Sequence, residues 1–208
     1  VTEGDQARDR EFSRRLEALH EIRKLNQIVR TNMERVCTEQ SADKNDPDSA
    51  PRDLVRAHRA SSLISVQLDA LDILATSSTA PLPFEARRWV FYRVVDKLVR
   101  IYRVLADSKN ISIRFVGSSV TEVLIDQRTI HIIPSAFIDN AIKYSPAKGT
   151  ITISVSDEEY NRWPVVALRV DSEGPSATIE EERSLFVTRG RGAAARAAAE
   201  GTGAGLAL

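Results

Sequence analysis

With one cysteine in 208 residues, Cys37, the chain can hold neither an internal disulfide nor a cysteine-rich zinc site, and it suits a reducing cytosol. It lacks any apolar run of about 18 residues, the length that crosses a bilayer as a helix. No charge of one sign prevails, since Lys+Arg and Asp+Glu number 29 each. No global field therefore draws the chain onto nucleic acid or an anionic membrane. A starting Met and a signal-peptide pattern are also lacking, so the sequence is expected to be an excised region of something larger. What is present is 42% hydrophobic and 28% charged residues, the make-up of a globular protein with real cores. The length allows one large domain or two modest ones.

Residues 5 to 40 predict one long helix. At about 100° per residue, Leu16, Leu19, Ile22, Leu25, Ile28, Val29, Met33 and Val36 fall on one broad stripe. The polar stretch "SADKNDPDSAP" at 41–51, with its two prolines, breaks the helix. A second helix follows from about Arg52 to Thr76, with Leu54, Leu63, Ile64, Leu68, Leu71 and Leu74 on its apolar face. Two long helices joined by a short polar loop make an antiparallel hairpin. Alone, that hairpin leaves much of its stripe wet. A second copy covers it in a dimeric four-helix bundle, with a monomeric coiled coil as the second choice.

Beyond the "TSSTAPLP" stretch at 76–83 the pattern changes. The expected division is a hairpin over 5–76, a linker over 77–83 and a second domain over 84–208. Phe84 to Ala106 predicts a helix, "NISIRFVG" and "TEVLID" alternate like strands, and a helix is expected from Arg128 to Tyr144, its start disturbed by Pro134. "GTITISVS" and "PVVALRVD" are further strands, separated by the turn-rich "DEEYNRW". Helices beside a mostly antiparallel sheet make this an α+β protein.

The segment "FIDNAIKYSP", residues 137–146, carries the first chemistry. Asn140 and Lys143 are three apart and share one helical face. An amide oxygen suits Mg²⁺, which keeps several waters and completes its shell with phosphate oxygens. The Lys143 ammonium neutralises phosphate charge, and Tyr144 can flank a nucleotide. The plain alternative is a surface helix ending in an ordinary polar cap. In "GTGAGLAL", Gly201, Gly203 and Gly205 precede an apolar helix start, where backbone N–H groups and the helix dipole favour a phosphate chain.

Taken in order, "DNAIKYSP" resembles the N box of bacterial sensor histidine kinases and "EGPSA" their first glycine box. "LFVTRGRG" resembles the phenylalanine segment of their ATP lid, and "GTGAGL" their second glycine box. "HEIRKL", beginning at His20, resembles the family's phosphoacceptor box, a histidine followed by an acid and a basic residue. The resemblance covers almost the whole chain. It implies a GHKL or Bergerat-type α/β sandwich, a nucleotide fold shared with gyrase, Hsp90 and MutL, placed after a hairpin that dimerises and carries the phosphoacceptor. It further implies ATP-dependent autophosphorylation of His20, with Glu21 orienting or deprotonating the imidazole. Transfer to an aspartate on the receiver domain of a response regulator follows. Asn140 would hold Mg²⁺. Lys143, Tyr144, Ser172, Gly174, Arg189 and Arg191 would surround ATP, with Gly201, Thr202, Gly203, Gly205 and Leu206 along the triphosphate. The implied setting is a cytoplasmic homodimer, on its own or as the cytoplasmic portion of a membrane sensor. Neither nucleic acid nor membrane contact is expected of this fragment. The family's last helix and strand would follow Leu208, so the domain's C-terminal end is expected to be missing.

His20 supports this reading from its own position. It lies opposite the centre of the apolar stripe and so faces solvent. An exposed imidazole with one unprotonated nitrogen is what attack on a γ-phosphate needs. His58 has no adjacent acid, and His131 sits in the second domain's own helix.

Three departures from the family pattern stand out. Ala136 replaces an additional Asn four residues before Asn140. Ser172 stands where the first glycine box usually has an Asp to accept from the adenine amino group, and it lacks the charge that strengthens such contacts. Lys24, four residues after His20, replaces a Thr or Asn that positions water for dephosphorylating the regulator. These changes bear on tight ATP binding and on phosphatase activity, not on the fold. The alternative function is a degenerate, non-catalytic kinase-like module that dimerises and binds a partner. An ATP-driven clamp or serine kinase is disfavoured by the histidine-bearing hairpin.

Overall fold

The computed structural model describes residues 3–43, 46–77, 85–175 and 178, and the chain divides into two compact units, Val1–Leu82 and Pro83–Leu208. The first unit is a helical hairpin of α1 (Glu3–Gln40) and α2 (Arg52–Ser77), with a short 3₁₀ turn at Pro47–Ser49 between them. The turn is held by the Ser49 hydroxyl, which donates to the Asp46 carbonyl at 2.8 Å and accepts from the Asp43 N–H at 3.0 Å. Arg59 of α2 reaches back to Asp48 at 2.8 Å. Beneath the turn, Cys37, Ala50 and Val55 form a small buried cluster with Leu54 packed against it. Burial, then the nearby Asp48 and Glu34 charges, push the Cys37 thiol up, so it stays a protonated, inert core residue.

The single broad stripe expected on α1 is split in two. The seam toward α2 steps through Leu19, Arg23, Asn26, Arg30, Met33 and Cys37, all buried or half-buried, at alternating four- and three-residue spacing. Ile22, Leu25, Ile28 and Val29 instead lie between 48% and 63% exposed on the protomer. On α2, Ile64 and Leu71 are likewise about half exposed while Val66 and Leu68 are buried. The middle of the seam is polar. Arg23 and Asn26 bond across it to residues 61–72 of α2, which fixes the helices as antiparallel.

The second unit runs β1 (Ala86–Val90), α3 (Phe91–Ser108), β2 (Ser112–Gly117), β3 (Glu122–Asp126), α4 (Ile132–Tyr144), β4 (Thr150–Tyr160) and β5 (Trp163–Ser172). β1 and β3 pair antiparallel as a two-stranded sheet. The other sheet has the order β2-β4-β5, parallel between β2 and β4 and antiparallel between β4 and β5. It is therefore mixed rather than mostly antiparallel. Along β4, Ile151, Ile153 and Val155 are fully buried while their neighbours are not, the period-two signature of a strand with one covered face. Of the helices, α3 packs beside β2 and α4 beside β5, with Val95, Leu98, Val99 and Tyr102 of α3 and Ile138, Ala141 and Ile142 of α4 buried. Helices on a sheet make the expected α+β architecture.

Three expected elements differ. The helix expected from Phe84 begins only at Phe91, because Ala86–Val90 is drawn into pairing with β3, with Trp89 opposite Val123 and Arg88 opposite Leu124. The "DEEYNRW" stretch is mostly strand. β4 runs to Tyr160, β5 resumes at Trp163, and Asn161 and Arg162 alone turn the chain, both at positive φ (50° and 68°) as a two-residue hairpin loop of the primed type requires. The helix expected from Arg128 starts at Ile132, which puts Pro134 in its first turn, where a missing N–H costs nothing.

Asp126 explains that delayed start. Its buried carboxylate accepts from the Glu85 N–H at 3.0 Å, the Arg128 N–H at 2.8 Å and the Arg128 guanidinium, tying the entry of β1 to the end of β3. The Thr129 and Ile130 N–H groups go to the Asp126 carbonyl, so 127–131 is a turn rather than helix. Gly117, at φ 86°, also has no substitute, since a Cβ there would lie 2.3 Å from the Val155 carbonyl oxygen.

The Arg128 side-chain bond, followed by the two backbone N–H bonds, holds the Asp126 carboxyl far below the usual aspartate range. A pKa lower in the folded state than in the unfolded one means stabilisation that is complete above the ordinary aspartate value, about 4. That stabilisation is lost as pH falls through the folded value. Asp126→Asn should therefore lower the urea midpoint at pH 7 and lower it less at pH 3. Equal losses at both pH values would show that the carboxylate charge is not what holds the turn.

Candidate functional site

Two sets of candidate residues fall among the described positions, one in each unit. On the hairpin, His20 is exposed on α1 as expected, but it flanks the seam rather than opposing it and lies beside an open cleft of about 350 Å³. Glu17, Glu21, Arg23, Leu68 and Asp72 line that cleft with it. The Glu21 carboxylate accepts from the Lys24 ammonium at 2.8 Å, and that bond, then the Lys24 charge, hold its pKa below the ordinary carboxylate value. In this structure Glu21 is thus oriented by Lys24. The pair is exposed, and such pairs are weak and salt-screened, so Glu21 is free to exchange partners.

In the second unit, α4 carries Asn140, Lys143 and Tyr144, all half-buried, while Ile138 and Ile142 fill the core. Ala136 is half-buried one turn before Asn140 and offers no polar atom there. The Lys143 ammonium lies 5.4 Å from the centre of the Tyr144 ring, within cation–π range. Burial raises the pKa of Asp139, and the Lys143 and Lys109 charges partly offset that.

The first glycine box comes to the same place. A Cβ on Gly174 would lie 3.4 Å from the Tyr144 carbonyl oxygen and 3.5 Å from its Cβ, so glycine lets the chain leaving β5 pass close against the end of α4. Register decides between Ser172 and Asp171. Ser172 is opposite Ile151 and Asp171 opposite Thr152. Directly opposed residues share a face, and Ile151 is the buried one, so Ser172 lies on the helix-covered face and Asp171 on the other. Asn140, Lys143, Tyr144, Ser172 and Gly174 therefore belong to one region. Arg189, Arg191, Gly201, Thr202, Gly203, Gly205 and Leu206, together with the lid segment around Phe186, lie outside the described residues.

Among the described residues no group of three or more His, Cys, Asp or Glu side chains is placed to hold a metal. The donor chemistry suits Mg²⁺ held by one side-chain oxygen, with nucleotide phosphates completing the shell, rather than an all-protein cage. Among the described residues no helix is long and apolar enough to cross a membrane.

The family model for histidine kinase-, DNA gyrase B- and HSP90-like ATPases matches residues 125–208, an interval that opens at the end of β3 and takes in α4 and Gly174. Sensor protein CopS of Pseudomonas syringae pv. tomato is 26% identical over 167 residues, 80% of this chain and 32% of CopS. The chain is thus similar to a sensor protein over most of its own length and to histidine kinase-like ATPases over residues 125–208. A second relative, the adaptive-response sensory kinase SasA of Synechocystis sp., is 24% identical over 118 residues, 55% of this chain and 30% of SasA. The solved structure of full-length ShkA in complex with AMPPNP covers 92% of this chain and 38% of its own chain at 18% identity, with a TM-score of 0.51. At that identity the likeness is one of fold. The chain spans about a third of the length of the curated relatives it matches.

One contributor to the site went unseen in the sequence. Lys109, just past α3, donates its ammonium to the Ile142 carbonyl at 3.2 Å and the Lys143 carbonyl at 3.3 Å, capping the end of α4. No local signal marks a lysine 33 residues away as that cap. A cation on the last carbonyls of a helix contributes about 1 kcal/mol. Lys109→Met should therefore destabilise the second unit by about that amount in urea unfolding. An unchanged midpoint would mean that water replaces the cap without loss.

Proposed function

We propose that this chain is the core of an ATP-dependent protein-histidine kinase, which phosphorylates His20 and passes the phosphoryl group to an aspartate on a response-regulator receiver domain. One observation carries the reading: an exposed histidine on a helical hairpin stands in the same chain as an ATPase unit. In that unit Asn140, Lys143, Tyr144 and Gly174 lie together. The hairpin over 5–76 serves dimerisation and phosphotransfer, 77–83 links, and 84–208 binds the nucleotide. The protein works in the cytoplasm, where Cys37 stays reduced.

Phosphoryl transfer depends on positioning and on neutralising charge. An unprotonated His20 nitrogen attacks the γ-phosphorus. The new N–P bond forms as the bond to the β-phosphate oxygen breaks, and ADP leaves. Glu21, once released by Lys24, accepts from the other imidazole nitrogen and steadies its tautomer. Lys143, with Arg189 and Arg191, carries phosphate charge. The Gly201–Gly205 backbone, with Thr202 and Leu206, wraps the triphosphate. Ser172 accepts from the adenine amino group, and Gly174 leaves space beside Tyr144. Bound at Asn140, Mg²⁺ supplies neutralisation of the phosphate oxygens.

The test is incubation of the protein with γ-labelled ATP and Mg²⁺. Label should be acid-labile, stable in base and absent from His20→Gln. Asn140→Ala should abolish metal-dependent nucleotide binding by calorimetry while shifting stability by no more than about 0.5 kcal/mol, as ordinary surface changes do. Label persisting in His20→Gln, or nucleotide binding unchanged in Asn140→Ala, would refute these assignments.

The same reading makes the hairpin a homodimer. Ile22, Leu25, Val29, Ile64 and Leu71 are about half exposed on the protomer, a long apolar row that one hairpin cannot cover. Sedimentation at micromolar concentration should find a dimer, and Ile64→Glu with Leu71→Glu should shift it toward monomer. A monomeric parent would end the proposal.

A further inference from the structure

Resting on the kinase reading, we propose that Arg23 is a positioning residue for His20: its clamp onto α2 sets the rotation of α1 and so the direction in which the imidazole projects. Arg23 occupies a seam position that a well-packed hairpin would give to leucine. Its guanidinium donates to Asp72 Oδ2 at 3.0 Å, to Asp69 Oδ1 at 3.1 Å and to the Leu68 carbonyl at 3.1 Å. The three acceptors lie within one turn of α2, so they hold the planar guanidinium from several directions. One turn further on, the Asn26 amide donates to the Ser61 carbonyl at 3.0 Å and the Ser65 hydroxyl at 2.8 Å, and its oxygen accepts from the Ser61 hydroxyl at 2.9 Å.

Packed leucines tolerate small rotations of a helix, because apolar contact has no direction. Hydrogen bonds to charged groups do not tolerate them, because they weaken steeply away from linearity. His20 is three residues before Arg23, so a rotation that Arg23 permits is passed to His20 undiminished. The cleft lies between them, lined by both residues and by Leu68 and Asp72 of α2, so the space in front of the imidazole has its size set by the same clamp.

The experiment uses the full protein. Arg23→Gln should cut the labelling rate at least tenfold with the KM for ATP unchanged, and Arg23→Lys, which keeps charge but loses the fork, should fall between. Asp69→Asn with Asp72→Asn, which keeps Arg23 but removes both carboxylates of the clamp, should slow labelling as Arg23→Gln does with the KM for ATP again unchanged, a split that a general loss of folding would not give. Amide exchange over 17–24 and 66–73 should quicken in Arg23→Gln. Labelling at the parent rate in Arg23→Gln overturns the inference, and so does labelling at the parent rate in Asp69→Asn with Asp72→Asn. If the parent itself takes no label, the kinase reading falls. Amide exchange then judges the clamp alone: quicker exchange in Arg23→Gln supports it, and unchanged exchange overturns it.

Discussion

The second unit depends on one buried layer, in which Ile138 and Ile142 of α4 and Ile151, Ile153 and Val155 of β4 are all without solvent exposure. Fully burying an aliphatic side chain contributes about 1.5–3 kcal/mol, so these five outweigh any polar preference of the same helix. Once they are seated, the rotation of α4 is fixed. Residues 140, 143 and 144 then have no place in the core and fall along its half-buried flank. That is why a core helix carries an amide, a lysine and a tyrosine. The apolar face supplies the rigidity that a site needs, and the flank supplies the chemistry. The close passage of Gly174 follows, because α4 packs beside β5, the strand that leads into it.

The hairpin divides the labour differently. Its inward seam relies at mid-length on directed bonds from Arg23 and Asn26, and most of its exposed apolar area faces outward. Such polar seams contribute less to stability than leucines would, but they specify one register and one rotation. Under the dimer reading, the area that stabilises the bundle lies between copies while the bonds that orient His20 lie within each copy. Stability and orientation are then separately adjustable, and stability becomes dependent on protein concentration.

How far the sequence disclosed this depends on the range of the interaction. The bounds of α1 and α2 were legible because helical periodicity and a breaker with prolines at 47 and 51 are local signals. β1 was not, since "ARRWV" runs straight into a helix and only its pairing with β3 makes it a strand. The β4–β5 turn was hidden because Asn161 and Arg162 adopt left-handed backbone without the glycine that usually advertises such a loop. The outward row on α1 could be counted in the sequence, but its separation from the inward seam could not, because Arg23 and Asn26 read as surface residues until their partners on α2 are known. In the site, the N box was legible as a contiguous motif. The approach of Gly174 to Tyr144 and the cap by Lys109 are tertiary and leave no local trace.

That cap bears on the chemistry as well as on the fold. The C-terminal end of a helix carries roughly half a negative charge and repels phosphate. A nucleotide site built around Lys143 and Tyr144, the last two residues of α4, therefore starts from an unfavourable field. Lys109 places its ammonium on the carbonyls that generate this field, and Lys143 adds a second positive charge beside them. Ala136 and Ser172 remove polar and charged groups from the same region, so on the proposed reading nucleotide affinity leans harder on these two cations than in a site with a full complement of side chains. On that reading the asymmetry falls on the phosphates: among the described residues Ser172 would meet the adenine end with a neutral hydroxyl, while Lys109 and Lys143 would offset the unfavourable field at the phosphate end.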